Sequence, residues 1–599
     1  MKQPFFCLAL TLVGLAPAAW GQWLSQSFDL KPGWNAIFAN VDASHATLDT
    51  LVGADPRNPI LEIWRWNPPS TSQFTDSPQN PNAGTEWTSW VRAQVGGSMQ
   101  RLVGDTAYLV RLPTNAANFK WTLKGRPVPP RNQWTLTGLN FLGFSTVPAN
   151  PPTLDQFFAK APELQSVVPE VYYYSGFDLS HNPVRVSSFQ FRTFPVKRGQ
   201  AYWIRSGEVF NRYFGPFEVV LSSVAGVDFH DNLTTYSLRL RNLTTNALTV
   251  GLQLLSSEAP PAGQAAIAAE PPLLIRGQLN LADLTYGSTN LPVGTVRSWT
   301  LPARGQTGAE VEVVLGLNRP AMTQDAGALL AGVLRFTDSL GFSQVDVPVA
   351  ARAPATAGLW IGSAGVTDVQ HYLKSYQRDG TGKPVAGGDG NYVVTSVDNS
   401  LGKVTQSYPL RLIVHNPVSG HAVLLQRVFY GLDAGGHPVV ARSEDALGPD
   451  NLKNARRVSA LHLPWTAENA VWSFDGRIGS STNLTATVIN GFNDRASNPF
   501  LHGYHPDHDN LDPTFKNLQP QGAESYTVQR DIRLTFTPPG NDFQSLTSAG
   551  LNLSGDYQET ITLKGLARGN GVEDNRQFQV RGRFNLSLVS DLATLAGNP

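Results

Sequence analysis

The sequence contains a single cysteine, Cys7, which lies within the first 21 residues. This stretch has a basic start, an apolar run from Phe5 to Leu15 and small residues just before Gln22, a pattern that predicts a secretory signal peptide over 1–21. Cleavage before Gln22 leaves a chain without cysteine, so no disulfide can stabilise it. A chain of this length can bury sufficient apolar surface without disulfides. We therefore expect an exported bacterial protein that is extracellular, attached to the cell surface or periplasmic.

Charge is also scarce. Charged residues make up 15% of the chain, below the usual value of roughly 25%. Lysine plus arginine and aspartate plus glutamate balance at 46 each, and no basic stripe is present. Nucleic acid and anionic membrane surfaces are therefore poor candidate partners. No second apolar run reaches the length of about 18 residues that a membrane helix needs, so we expect no transmembrane segment after cleavage.

Catalytic signatures are missing as well. The sequence has no Gly-x-Ser-x-Gly nucleophile elbow, no phosphate-binding loop and no dinucleotide fingerprint. A pair of glycosidase carboxylates leaves no sequence motif, because its pairing is spatial. We therefore predict an exported non-catalytic binding or structural protein of a bacterial envelope or extracellular assembly, with a glycan or a surface protein as its partner. The alternative is a secreted polysaccharide-active hydrolase with its site in the C-terminal domain.

The N-terminal third contains one set of landmarks twice, in the same order. The landmarks are a first strand at 33–38 and 139–144, a Leu-Asp pair with a helical segment at 48–49 and 154–155, an aromatic strand with a leading glutamate at 62–66 and 170–174, and an Ala-Tyr strand at 107–110 and 201–204. The pattern predicts a tandem duplication of one small β-rich module, with copies at 22–128 and 129–222.

The rest of the chain has the alternation of half-buried strands. Polar and apolar residues alternate with period two at 236–241, 311–315 and 345–349, and turn residues separate these segments. This spacing predicts an immunoglobulin-like β-sandwich over 223–355. For residues 356–599 we expect a large β-rich C-terminal domain, and we favour one large sandwich over two small ones. The predicted fold class is thus mainly β.

Tryptophan is concentrated in the duplicated modules. Four of these residues occupy repeated strand positions, which favours a role as core anchors: Trp34, Trp64, Trp66 and Trp203. Trp87 and Trp90 lie in the segment 84–92, which resembles a loop. They are the candidate ligand-binding residues, because flat rings can stack on sugar faces.

The densest polar cluster is the segment 502–512. It contains three histidines and three aspartates, which are His502, His505, His508, Asp507, Asp509 and Asp512. Imidazoles favour zinc and carboxylates favour calcium, so a divalent metal is the one cofactor that the sequence suggests. Pro506 excludes a helical His-Glu-x-x-His site, and Leu511 occupies a position where an EF-hand loop needs an oxygen ligand. A metal site, a structural polar loop and a catalytic role all remain open.

Two motifs resemble those of a known group of proteins. They are the Gly-Trp-Asn opening at 33–35 with its following aromatic strand, and the segment Asn-Pro-Phe-Leu-His-Gly-Tyr-His-Pro-Asp-His-Asp-Asn at 498–510. Both are similar to features of large exported proteins of environmental bacteria, which are mosaics of β-domains. The resemblance implies an exported multidomain β protein, attaches no activity and carries over no catalytic residue.

Overall fold

The computed structural model describes residues 22–597 except for thirteen internal gaps. The gaps are 70–73, 95–96, 132–133, 136–137, 162–168, 206–212, 382, 389–391, 399–400, 404–408, 461–470, 495–525 apart from Asn498, and 565–575. The described residues form two compact units. Unit 1 runs to Ala353 and includes Asp542–Thr547, whereas unit 2 contains Pro354–Asn541 and the chain from Ser548 onward. Within the described residues, no helix has the length and apolar character that crossing a membrane requires.

Unit 1 begins with two small modules of short strands. The first module contains β1 (Leu24–Leu30), β2 (Gly33–Ala39), β3 (Val41–Asp42), β4 (Glu62–Trp66), β5 (Trp87–Val91), β6 (Thr106–Leu112) and β7 (Phe119–Pro127). The second module contains β8 (Asn140–Gly143), helix α1 (Leu154–Phe158), β9 (Glu170–Tyr173), β10 (Val184–Val186) and β11 (Ala201–Arg205). Short helical turns lie at Asp49–Gly53, Leu179–His181 and Ser188–Arg192.

The two modules have the same sheet topology. The strand order is β2-β6-β4-β5 in the first module and β8-β11-β9-β10 in the second, with antiparallel pairing throughout. The register is also the same, since Asn35 lies opposite Val110 and Asn140 lies opposite Ile204. The predicted duplication is therefore confirmed, and the first module adds a three-stranded sheet of order β1-β7-β3.

The remainder of unit 1 is the predicted β-sandwich. Its strands are β12 (Phe217–Val220), β13 (Val227–Asp228), β14 (Thr235–Asn242), β15 (Leu248–Ser256), β16 (Leu273–Asn280), β17 (Thr285–Leu291), β18 (Val296–Leu301), β19 (Glu310–Leu317), β20 (Leu329–Asp338) and β21 (Gln344–Arg352). A helical turn at Arg319–Ala321 follows β19. The two five-stranded sheets have the orders β12-β14-β19-β16-β17 and β13-β21-β20-β15-β18. They enclose one apolar core that includes Leu252, Leu315 and Phe336.

Unit 2 is built from longer strands. These are β22 (Gly358–Tyr376), β23 (Val394–Asp398), β24 (Leu401–Lys403), β25 (Pro409–Asn416), β26 (Val423–Leu425), β27 (Arg427–Leu432), β28 (Pro438–Ala441), β29 (Arg456–Ser459), β30 (Val471–Ser473), β31 (Asn483–Asn490), β32 (Thr527–Phe536), β33 (Asn552–Lys564), β34 (Arg576–Ser590) and β35 (Leu595–Ala596). Helical turns lie at Glu444–Ala446 and Pro449–Asn454. Helix α2 (Phe543–Ser548) precedes β33 in the chain, but all of it except Ser548 belongs to unit 1.

The main sheet of unit 2 curls back on itself. Its order is β30-β26-β25-β22-β34-β33-β32-β31, with β23 and β24 pairing β22. The two end strands meet because the amide of Asp475 donates to the carbonyl of Thr485 at 2.6 Å. The inner face carries the core, with Trp360, Leu484 and Phe584 almost fully buried. The C-terminal region is therefore one curled sheet rather than the expected sandwich, and a small sheet of order β29-β27-β28-β35 accompanies it.

Candidate binding groove on the curled sheet

Aromatic residues from both modules meet in one shared cluster. Trp34, Trp66 and Trp203 are 8%, 9% and 0% exposed, and Trp64 is half-buried beside them. The ring of Trp203 lies 4.9 Å from that of Trp66 and 4.7 Å from that of Phe141, between the centroids. The predicted core role of these four tryptophans is therefore confirmed, and their cluster joins one module to the other.

Trp87 and Trp90, the candidate ligand-binding residues, lie on strand β5 rather than in a loop. Each is only 4% exposed. Trp87 belongs to the aromatic cluster between the modules, and Trp90 packs in the core of the first module and donates its indole N–H to Asp49 Oδ1 at 2.7 Å. Because Trp87 and Trp90 lie three positions apart on β5, their rings point to opposite faces of the sheet. The aromatic cluster between the modules covers Trp87, and the core of the first module covers Trp90. Neither ring therefore presents a stacking face to a glycan.

The predicted metal ligands lie outside the described residues. This holds for His502, His505, His508, Asp507, Asp509 and Asp512. Asn498 connects the described residues on either side of these positions. Its side-chain amide donates to the carbonyls of Gly491 at 2.8 Å and Tyr526 at 2.7 Å. Within the part of the chain that is described, no group of three His, Cys, Asp or Glu side chains is placed to hold a metal ion. Metal binding by this segment stays a prediction.

A groove of about 560 Å³ runs across the outer face of the curled sheet. Four adjacent strands, β31 to β34, supply most of its lining. Antiparallel register places their outward side chains in two rows. One row is Thr485, Arg533, Gln558 and Arg581, and the neighbouring row is Thr487, Asp531, Thr560 and Gln579. Every member of the two rows can donate or accept a hydrogen bond.

The two rows differ in how their polar groups are engaged. In the second row, Asp531 accepts hydrogen bonds from Thr487 Oγ1 at 2.6 Å and Gln529 Nε2 at 2.9 Å. In the first row, Arg533, Gln558 and Arg581 are all exposed. The described residues provide no carboxylate within ion-pair distance of either arginine. The first row therefore offers charged hydrogen-bond donors that no carboxylate of the described chain occupies.

A buried charged group lies directly beneath the groove. Glu559 is 3% exposed, forms an ion pair with the equally buried Arg530, and accepts a hydrogen bond from the Tyr557 hydroxyl at 2.7 Å. Burial raises the pKa of Tyr557 well above its usual value, and the negative charge of Glu559 raises it further. Arg530 and Tyr557 thus engage the carboxylate of Glu559 below the surface of the groove.

The groove was not identified from the sequence. The only sequence signal is a set of polar-apolar-polar triplets at 485–487, 531–533 and 579–581, in which the central residue is buried. Such triplets are typical of any half-buried strand. The register of four paired strands brings these residues together, and the triplets do not predict that register.

Comparisons with known proteins do not assign a family. No protein-family model and no curated protein matches the chain. A multidomain protein including DUF1735 from Bacteroides ovatus aligns with 61% of this chain and 92% of its own, at 10% identity and a TM-score of 0.15. The arabinofuranosyltransferase AftD from Mycobacteria aligns with 96% of this chain and 38% of its own, at 10% identity and a TM-score of 0.11. Similarities this weak carry no argument about function.

Proposed function

We propose that this chain is an exported, non-catalytic glycan-binding protein and that the groove of unit 2 holds the glycan. The observation that carries the proposal is the groove itself, in which outward hydrogen-bonding side chains of four strands line one continuous concave surface. Export rests on the signal peptide predicted over 1–21. It is tested by the mass of the mature chain, which should begin at Gln22.

The chemistry of the groove favours binding over hydrolysis. A glycosidase needs one carboxyl group as acid and a second as nucleophile or base. Among the acidic residues of the described chain that line the groove, Glu559 is buried in an ion pair and Asp531 already accepts two hydrogen bonds. Only Asp475 is exposed at the rim. This arrangement is better suited to holding hydroxyl groups than to transferring protons.

The lining also favours a glycan over a protein partner. Protein interfaces depend on aromatic and other apolar anchors at their centre. The apolar residues that line the groove are Ala486, Ile532 and Val580, and all three are buried in the core of the sheet. The two outward rows carry hydroxyl, amide, carboxylate and guanidinium groups. A hydroxyl-rich polymer can satisfy these groups, whereas an apolar side chain cannot.

A glycan array followed by calorimetry of the mature chain tests the proposal. We expect binding of at least one polysaccharide class, and we expect Gln558→Ala, at the centre of the first row, to weaken it about tenfold, which corresponds to the loss of one or two hydrogen bonds. Ser554→Ala is the matched control, because Ser554 is exposed on the same face of β33 but lies outside the groove. Equal affinities of the two variants would contradict the placement of the site.

The same samples test the alternative function. If the wild-type chain releases new reducing ends from the bound glycan and Asp531→Asn abolishes this release, the protein is a hydrolase and the non-catalytic proposal is wrong. Unchanged glycan length after prolonged incubation supports binding alone.

A divalent metal in the segment 502–512 is a separate proposal. Histidine and aspartate side chains provide donors for zinc or calcium. Elemental analysis of the purified chain should find one bound metal ion per molecule, and this metal should be lost in His505→Ala. Purified wild-type chain without metal would leave the structural polar loop as the better interpretation.

A further inference from the structure

Outward arginines on the sheets of this protein commonly face a carboxylate on the neighbouring strand. Arg241 contacts Glu218 at 2.8 Å across β14 and β12, and Arg583 contacts Asp556 at 2.8 Å across β34 and β33. Such cross-strand pairs neutralise the positive charge at the surface and fix the guanidinium. They provide a standard against which the two arginines of the groove can be compared.

Arg533 and Arg581 depart from this arrangement. Each lies beside Gln558 in register, so an amide replaces the acidic neighbour. On its other side Arg581 lies opposite Asp368, but the Asp368 carboxylate accepts a hydrogen bond from Thr367 Oγ1 at 2.8 Å, and the described residues contain no ion pair between Asp368 and Arg581. Two exposed guanidinium groups therefore flank one neutral amide, and neither has a carboxylate partner within the described chain.

The spacing of these groups suits a polymer with repeated negative charges. Arg533 and Arg581 stand two strands apart, and adjacent strands are separated by about 4.8 Å, so their backbones are roughly 10 Å apart. Arginine binds oxyanions through paired N–H groups and is more weakly hydrated than lysine, so it can exchange water for a carboxylate at low cost. Asp531 in the adjacent row still has lone pairs that can accept sugar hydroxyls.

We infer that the groove is selective for an acidic glycan, a polymer of uronic acid residues whose carboxylates bind Arg533 and Arg581 while its hydroxyl groups meet the adjacent row. This inference rests on the proposed glycan-binding function and adds to it the chemical class of the ligand. It requires that removal of the ligand's charge weakens binding while its hydroxyl groups stay in place.

The test compares two forms of one ligand. Oligogalacturonate and its fully methyl-esterified form have the same backbone and hydroxyls, but only the first carries carboxylates. Calorimetry of the mature chain at low ionic strength should give at least about tenfold tighter binding of the acid form, and the difference should shrink as salt screens the exposed charges.

Variants of the mature chain locate the effect. Arg533→Gln and Arg581→Gln should each weaken binding of the acid form about tenfold and leave binding of the ester unchanged, because each removes one charge-assisted contact. Arg583→Gln is the matched control, since Arg583 is exposed on the same face of the sheet but is paired with Asp556. All three substitutions are at exposed positions, so we expect thermal unfolding of the variants to match that of the wild type.

The outcomes separate the inference from the function on which it rests. If acid and ester bind equally, selectivity for acidic glycans is wrong while glycan binding in the groove still stands. If Arg583→Gln weakens binding as much as Arg533→Gln, the assignment of the ligand's carboxylates to Arg533 and Arg581 is wrong. If a neutral glycan binds, Gln558→Ala weakens that binding and oligogalacturonate does not bind, the inference alone fails. If no glycan binds at all, the proposed function fails and the inference fails with it.

Discussion

One group of buried polar residues in unit 2 is held together by specific contacts. In unit 2, Arg530, Glu559 and Tyr557 form a hydrogen-bonded group within an otherwise apolar core, with the ion pair 5% and 1% exposed at its side chains. Removing two charges from water costs several kcal/mol per ion, and their mutual attraction offsets this cost only when both partners are present. Loss of one partner of this buried pair should therefore lower the free energy of unfolding far more than loss of one partner of an exposed pair.

Glu559→Gln tests this expectation. The substitution removes the negative charge that Glu559 places against the buried Arg530, so we expect the free energy of unfolding to fall by about 3–5 kcal/mol. Urea denaturation followed by tryptophan fluorescence measures the loss. Asp556→Asn serves as the control, since it breaks the exposed pair with Arg583 on the same strand and should cost no more than about 1 kcal/mol. Similar losses in the two variants would count against a special role for burial.

His415 should make the stability of unit 2 depend on pH. The ring is 2% exposed and its Nε2 lies 3.1 Å from the carbonyl of Leu592. Burial lowers the pKa of His415 below its ordinary value although this hydrogen bond acts in the opposite direction. The unfolded chain therefore binds a proton at higher pH than the folded chain. The stability contributed by neutral His415 is complete above about pH 6.5 and is lost as the pH falls from there towards the lowered pKa.

The measurement for His415 is the free energy of unfolding on both sides of this window. Wild-type protein should be less stable at about pH 5 than at pH 7, and His415→Gln should show a smaller difference because glutamine does not titrate. An unchanged pH dependence in the variant would assign the effect to other groups, of which the partly buried His45 in unit 1 is the first to examine, since burial lowers its pKa as well.

At the scale of elements, the two modules repeat side-chain contacts as well as strands. Asn35 accepts from the amide of Lys31 at 2.9 Å and donates to its carbonyl at 2.8 Å, and Asn140 makes both contacts with Thr135 at 2.6 and 3.0 Å. Asn35 thus fixes the backbone just before β2, and Asn140 fixes the backbone just before β8. A backbone group that loses such a partner inside the protein remains unsatisfied.

Asn35→Ala and Asn140→Ala should therefore destabilise unit 1 by similar amounts, about 1–3 kcal/mol each. Chemical denaturation of both variants beside Asn118→Ala provides the comparison, because Asn118 belongs to the first module but is exposed. If either substitution costs as little stability as Asn118→Ala, the two asparagines do not contribute equally to the stability of unit 1.

The repeated contacts also explain which elements could be predicted from the sequence. Glu62 and Arg111 pair across β4 and β6 as Glu170 and Arg205 do across β9 and β11, so the recurring residues are those whose positions the fold fixes. Their order along the chain therefore predicted the topology of the modules. Trp87 was misplaced because its flanking glycine and polar residues resemble a loop, and only pairing with β4 makes the segment a strand.

The site could not be predicted in the same way. Thr485, Arg533, Gln558 and Arg581 come from four separate strands, and none of them belongs to a motif. Their shared position depends on the curl of a ten-stranded sheet, which arises from the twist that every strand adds. The sequence analysis predicted a sandwich for this region, and a sandwich does not bring the two end strands of one sheet together. The contact between Asp475 and Thr485 joins these end strands, and both residues line the groove.

At the scale of the whole molecule, each unit contains its own apolar core. The sandwich core of unit 1 and the inner core of the curled sheet in unit 2 each contain about twenty buried residues, more than enough for independent folding of domains of this size. The only cysteine lies in the predicted signal peptide, and no metal cluster occurs among the described residues. Stability should thus come from packing rather than from covalent or metal cross-links.

Removal of metal should therefore leave unit 1 of the mature chain folded. We expect differential scanning calorimetry in a chelator to give the same midpoint for unit 1 as in buffer, because its described residues contain no group of metal ligands. Metal bound by the segment 502–512 would stabilise only the state that binds it, by an amount set by its concentration relative to its dissociation constant. A chelator should then lower the transition of unit 2 alone, and His505→Ala should remove that response. A fall in the unit 1 transition would show that a metal supports the fold itself.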